Sequence, residues 1–281
     1  MSRTVRRFLL VFSLVIALIC IAAIVYVRVW LDPHLKEKLV ELTAHSSQGM
    51  YALQIDRLHV NIFTGSAEVD GIQLTTDSIR WDSIRQAKPD ETHLRIALQI
   101  RRLRLKNLHL LQYWRTKEVS LDNILVLDPQ IDLTSVRDTV LEKSTISDSL
   151  TKGMLERLPL TIAPFAKSIH IRSVTVSNGK MSLRTLKLQK SSYQQADSIG
   201  LSLRNINIEA NDTSETGRAL FAEYFSLQLR NYELYPTGDL YGYRINTASL
   251  DGQKGLAKLE VVTILPKTSD AEFMQRLKLR T

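Results

Sequence analysis

An eight-residue spacing, apolar-x-apolar-x-x-apolar-x-apolar, recurs along this chain and limits its fold more than any other feature. It reads LQIDRLHV from Leu53 to Val60, LQIRRLRL from Leu98 to Leu105 and VSLDNILV from Val119 to Val126. It returns as IHIRSVTV (Ile169 to Val176), LSLRNINI (Leu201 to Ile208) and LQLRNYEL (Leu227 to Leu234), with a weaker copy, YRINTASL, from Tyr243 to Leu250. Apolar–polar alternation marks a strand with one buried face. The doubled polar pair in the middle shifts that phase, and would send the second half of each strand to the opposite face unless the strand bulges. Asp56-Arg57, Arg101-Arg102, Asp122-Asn123, Arg172-Ser173, Arg204-Asn205 and Arg230-Asn231 are therefore the predicted bulges. None of these pairs contains glycine, which disfavours a tight turn at each of them.

The copies begin at 53, 98, 119, 169, 201, 227 and 243, so no fixed repeat period exists and a solenoid is excluded. The expectation is a meander of antiparallel strands, curved by bends at the same relative place in each. Turn signals are Gly65-Ser66, Asp70-Gly71, Ser177-Asn178-Gly179, Thr237-Gly238-Asp239 and Asp251-Gly252. Loops are expected at Asp82 to Thr92, Lys190 to Asp197 and Asn211 to Gly217. Thr134 to Lys152 is polar with a few apolar residues in helical phase. A short helix broken by Pro159 and Pro164 is expected in Met154 to Phe165, and a helical turn at Leu110 to Trp114.

Ahead of the strands, Phe8 to Val27 is a run of 20 residues without a charge. A helix of that length spans a bilayer core of about 30 Å. Arg3, Arg6 and Arg7 precede it and Arg28 follows, a balance that favours a cytoplasmic N-terminus and an exported body. A cleaved signal peptide has a shorter apolar region, roughly 7–15 residues, with a small-residue cleavage site after it; here Ala22-Ala23 sits inside the run. An uncleaved anchor is the expectation, with Cys20, the only cysteine, facing lipid or packing. Leu35, Leu39 and Leu42 then carry helical spacing after Asp32-Pro33. The resulting division is a cytoplasmic segment 1–7, an anchor 8–30, an amphipathic helix 31–48 and a periplasmic β domain 49–281.

One-faced strands must bury their apolar side, and the sequence supplies few amphipathic helices to cover it. Either the curved sheet closes on itself as an ordinary core, or its apolar face lines a trough that another apolar partner fills. The trough's candidate lining is Leu53, Ile55, Leu98, Ile100, Leu103, Leu105, Leu121, Ile169, Ile171, Val174, Leu201, Leu203, Leu227 and Leu229. Each acyl methylene buried there contributes about 0.8 kcal/mol without directional chemistry.

The layout resembles the N-terminal part of the AsmA-like family, relatives of the bridge-like lipid-transfer proteins of Gram-negative envelopes. The resemblance is carried by the N-terminal apolar run and helix, by FTGSAEVDGIQL (Phe63 to Leu74), and by LRLKNLHLLQYWRTKEVSLDNILVLDPQIDL (Leu103 to Leu133). In the latter, two strands flank a Leu-rich helical turn, and Leu127 to Leu133 looks like the family's apolar-x-Pro-x-apolar-x-apolar ending. It covers roughly the first half well and the rest in style, and it brings no catalytic residue with it. It implies an open β-groove with an apolar interior, projecting from the inner membrane into the periplasm. Phospholipid acyl chains, the inner membrane and envelope proteins are the implied partners, and phospholipid transfer and outer-membrane biogenesis the implied roles. Family members are usually longer, so a groove domain incomplete at its C-terminus is part of that expectation.

Motifs of catalysis are lacking. The six histidines show no HExxH or other metal-ligand spacing, and no GxSxG, Walker loop or GxGxxG occurs. His59 and His170 fall on polar positions of the repeated strand and are expected to face solvent. Asp122, Asp128 and Asp132 read as a solvated face rather than a metal site. The net charge of +8, from 37 Lys and Arg against 29 Asp and Glu, is spread along the chain. Arg101 to Lys106 is its densest basic run and suits anionic headgroups or nucleic acid, yet no aromatic platform accompanies it, and an exported body argues against nucleic acid. The expectation is a non-enzymatic protein without a cofactor; the other reading is an envelope scaffold with a closed core, pairing its free strand edge with a client.

Overall fold

The computed structural model describes residues 35–47, 49–61, 64–87, 93–137, 163, 166–187, 190–210, 221–236 and 241–266. The predicted anchor lies outside these; among the described residues no helix is long and apolar enough to cross a membrane. The expected loop 211–217, the turn 237–239 and nearly all of 138–165 lie outside them too.

Helix α1 (Leu35–Ser46) leads into β1 (Tyr51–Asn61) and β2 (Ser66–Thr76). Helix α2 (Ser78–Ala87) precedes β3 (His93–Leu108), and α3 (Leu110–Thr116) precedes β4 (Glu118–Arg137). Then come β5 (Ser168–Lys187), β6 (Lys190–Glu209), β7 (Ala222–Tyr235), β8 (Tyr241–Asp251) and β9 (Leu256–Pro266). All nine strands form one open, curved sheet in chain order.

Three expectations need correction. The sheet is mixed, not antiparallel: β4 and β5 run parallel, with Leu121 beside Ile171 and Ile131 beside Met181. Asp70-Gly71 and Ser177-Asn178-Gly179 are not turns but lie inside β2 and β5, and Lys190 to Asp197 is the first half of β6 rather than a loop. Part of the expected loop 82–92 is α2, where Asp77 caps the first turn by accepting the Arg80 amide at 3.0 Å. Trp81 of α2 is buried and meets the His93 ring edge-on at 6.5 Å.

The third correction concerns the bulges. Every predicted pair does contain an irregular residue, but almost nowhere do two residues oppose one. In β1–β2, Ile55 pairs Ile72 and Arg57 pairs Asp70, so Asp56 and Gly71 both drop out and the register is unchanged. The same matched break joins Gly71 to Arg101 and Arg101 to Asp128. A line of breaks continues through Asn178, Asp197, Asn231 and Asn246 to Val261, crossing all nine strands; only at β5–β6 does the register itself shift. A second line crosses β3 to β7 at Asn107, Asp122, Arg172, Asn205 and Glu223. Because neighbours break at the same level, the phase resets in both and no extra residue is needed. Each antiparallel pair places a left-handed residue in its break: Gly71, Asn107, Asp128, Asn178, Asn205, Asn231 or Val261. Glycine, Asn and Asp reach that conformation at least cost.

Candidate functional site

Cross-strand partners share a face, so the register shows where each apolar position points. One row runs through Leu53, Leu74, Leu98, Ile131, Met181, Ala196, Tyr232, Ile245 and Val262, one residue from each strand. A second runs Leu58, Val69, Leu103, Val126, Val176, Leu201, Leu227, Leu250 and Ala257. Eight inter-strand steps make such a row roughly 38 Å long. The breaks in phase, one in each of β1, β2, β8 and β9 and two in each of β3 to β7, are what keep the successive segments of every strand on this one inner face.

All fourteen residues expected to line the trough lie on it. Thirteen are buried and belong to one apolar cluster, while Leu229 is half-buried against the same cluster. The face is not uniform along the sheet. Ile124, Val174 and Leu203, in the middle, are 0% exposed. The inner residues of β8 are half-buried, and those of β9 are open: Leu259, Val262 and Ile264 are 62%, 55% and 60% exposed. The main helix packing on the sheet is α1 on β1 and α3 on β4, away from this open end.

Sequence reasoning missed two strands of the face. AEVDGIQL (Ala67 to Leu74) and AKLEVVTI (Ala257 to Ile264) carry the same spacing, with their breaks at Gly71 and Val261. The first was hidden by its turn-like Asp-Gly, the second by an apolar residue in a position that is polar elsewhere.

The outer face is polar, and the arginines of its basic run are paired with acids. Arg102 Nε reaches Asp70 at 2.6 Å and Glu68 at 2.9 Å, Arg101 pairs Asp128, and Arg104 pairs Glu68, so the basic run is matched by acids across the ladder. That arrangement argues against the run as an anion-binding patch. The hydrogen bond from Arg102 holds the Asp70 carboxyl below its ordinary range; desolvation opposes it, and the charges of Arg102, Arg57 and Arg104 add to the lowering. Asp122 is likewise held low, first by the Asn107 amide at 2.9 Å, with Arg172 at 3.1 Å and His109 at 3.6 Å adding to it. Asp132 instead accepts from Ser182 at 2.5 Å. The three aspartates thus have separate partners, and among the described residues no three His, Cys, Asp or Glu side chains form a metal-sized cluster. His59 and His170 are exposed on this outer face, where the strand pattern puts them.

No protein-family model matches the chain, and no curated protein matches it.

Proposed function

We propose that this chain is a membrane-anchored envelope protein that carries phospholipid acyl chains along its inner face, in support of outer-membrane biogenesis. The supporting observation is the apolar floor itself: rows that cross all nine strands, the second of them built of aliphatic residues alone, ending in an exposed stretch on β9. Acyl chains enter or leave at that open end, and headgroups remain in water at the rim. The apolar run 8–27 holds the N-terminus in the inner membrane and the sheet stands in the periplasm. The Tyr232 hydroxyl donates to Gln194 at 3.1 Å and the Thr76 hydroxyl to the Ile96 carbonyl at 2.7 Å, so these polar groups of the floor are engaged with the protein itself and the chain length of the lipid matters more than its headgroup. No bond is made or broken, and direction comes from supply and removal.

A second reading rests on the fully buried residues at mid-sheet: a closed core, with the protein acting as an envelope scaffold. The two readings separate in one experiment. The full chain is reconstituted into vesicles containing a phospholipid with a photoreactive diazirine in its acyl chain, irradiated, and digested. The transfer reading expects adducts on the inner-face residues of β7 to β9 as well as on 8–27. Adducts confined to 8–27 leave the scaffold.

A further inference from the structure

The sheet's two edges are unlike. On β1, α1 packs against the strand and the Lys36 ammonium donates to the Asp56 carbonyl at 3.3 Å. On β9, five large apolar residues are 55–63% exposed, on both faces, and among the described residues no further strand pairs with it. Natural sheets blunt such edges with unpaired charge, proline or cover. Here Lys258 and Glu260 neutralise each other, and Pro266 stands only at the strand's end.

We propose that β9 is a docking edge for an extended strand of a partner polypeptide that carries the same apolar-x-apolar-x-x-apolar-x-apolar spacing. The fold itself defines the mate. In five of its seven antiparallel pairs, all but β3–β4 and β6–β7, the first apolar position faces the fourth and the second faces the third, as Leu227 faces Leu250 and Leu229 faces Ala248. The spacing is palindromic, so any antiparallel strand that has it brings both its apolar halves onto the floor. On β9 that register sets the partner's apolar residues beside Ala257, Leu259, Val262 and Ile264 and continues the inner face into the partner.

Charge refines the fit. On β7 and β8 the acid after the third apolar residue, Glu233, pairs with the base after the first, Arg244, at 2.7 Å. Lys258, besides its pair with Glu260, holds the position on β9 that Arg244 holds on β8, so an acid at the partner's matching position faces it directly across the ladder. Main-chain bonds along the edge give affinity, and the apolar spacing gives register. The inference rests on the sheet edge and needs that edge, not the whole floor, to be free of lipid.

The test uses the full chain in lipid nanodiscs, with Cys20→Ser to remove the native thiol and Lys258→Cys as a probe. The ligand is a synthetic peptide of the β7 sequence, Ala222 to Tyr235, with cysteine in place of Glu233. Register-specific docking brings the two Cβ atoms to about 4–5 Å and a disulfide forms. A peptide with cysteine instead at Gln228 lies out of reach of position 258 and bonds only a Thr263→Cys chain. Val262→Asp lowers the yield at least about tenfold; its side chain is exposed, so the fold is spared. Absence of the disulfide overturns the proposal, as does equal yield at both peptide positions. A nanodisc protein whose β9 is already paired with a second copy, seen as a two-chain mass and no peptide uptake, overturns it in favour of self-association. Exclusion of the peptide by retained lipid overturns it in favour of a lipid-covered face.

Discussion

Asp70 and Arg102 face each other across the β2–β3 ladder, joined at 2.6 Å, one residue from the level where Gly71 and Arg101 leave the pairing. The charge pair closes the outer face beside a break that serves the inner one. Since the folded Asp70 carboxyl titrates below its unfolded value of about 3.9, its contribution is complete above that value and disappears as the pH falls through the folded pKa. Asp122 behaves in the same direction. Acid unfolding of the full chain is therefore expected to steepen below about pH 4, and Asp70→Asn is expected to reduce that slope while leaving the profile from pH 6 to 8 flat. A slope unchanged by the substitution in a pH series of melting temperatures removes Asp70 from this account.

Gly71 is needed for two reasons at once. Its φ is +64°, and a Cβ there would run into the Asp56 side chain. Gly71→Ala is expected to cost at least about 1–2 kcal/mol in urea unfolding. Gly200→Ala is the comparison, because its nearest neighbour would be 3.9 Å away; its effect is expected to stay within about 0.5 kcal/mol. Equal losses at both would remove the special role of the break.

Val261 occupies the left-handed region, with φ 53°, while 63% exposed. A β-branched side chain is poorly suited to that conformation, and no buried contact compensates. Val261→Asn is expected to raise stability by about 1 kcal/mol, in line with the asparagines at the other breaks. A drop in melting temperature would show that the valine makes a contact of greater value than its strain.

The gradient along the inner face predicts unequal costs of truncation. Leu203→Ala, at 0% exposure, is expected to lose about 2–5 kcal/mol. Leu259→Ala, at 62% exposure, is expected to lose less than about 0.5 kcal/mol. Urea titrations of the two variants decide it, and comparable losses would mean that β9 is covered in solution.

Thr76 ends the β2–β3 ladder with its side chain: the hydroxyl donates to the Ile96 carbonyl at 2.7 Å and accepts the Ile96 amide at 3.1 Å, in a buried setting. Thr76→Val keeps the shape but strands both backbone groups, a loss of about 1–3 kcal/mol. Thr76→Ser is expected to recover most of it; hydrogen exchange at the Ile96 amide reports the bond directly.

Much of this sheet is legible in the sequence, and the reason is physical. Six strand copies and the polar pairs inside them can be read from side-chain period alone, because burial selects which residues alternate. Leu110 to Trp114 was readable as a helical turn from its apolar density, and α3 stands there. What could not be read is direction. The spacing is the same forwards and backwards, so Leu121 suits Ile171 in a parallel pair as well as it would suit an antiparallel neighbour. Nor could a bulge be distinguished from a matched break, since that depends on whether the neighbouring strand breaks at the same level. The fourteen residues of the candidate lining were placed on one face by pattern. Its graded exposure depends on what packs over each strand, which one strand's sequence does not contain.

The parallel pairing of β4 with β5 also bears on how the chain comes together in time. Strands β1 to β4 and β5 to β9 each assemble from sequence neighbours, whereas every register pair between β4 and β5 joins residues 50 positions apart. Such a junction closes the longest loop and so forms late. During synthesis the first half stands complete with β4, 20 residues long, unpaired along one side until β5 has been made. The interval most open to misassembly is thus set by the pace of translation between Arg137 and Lys187, a span over which slowing the ribosome lengthens the risk.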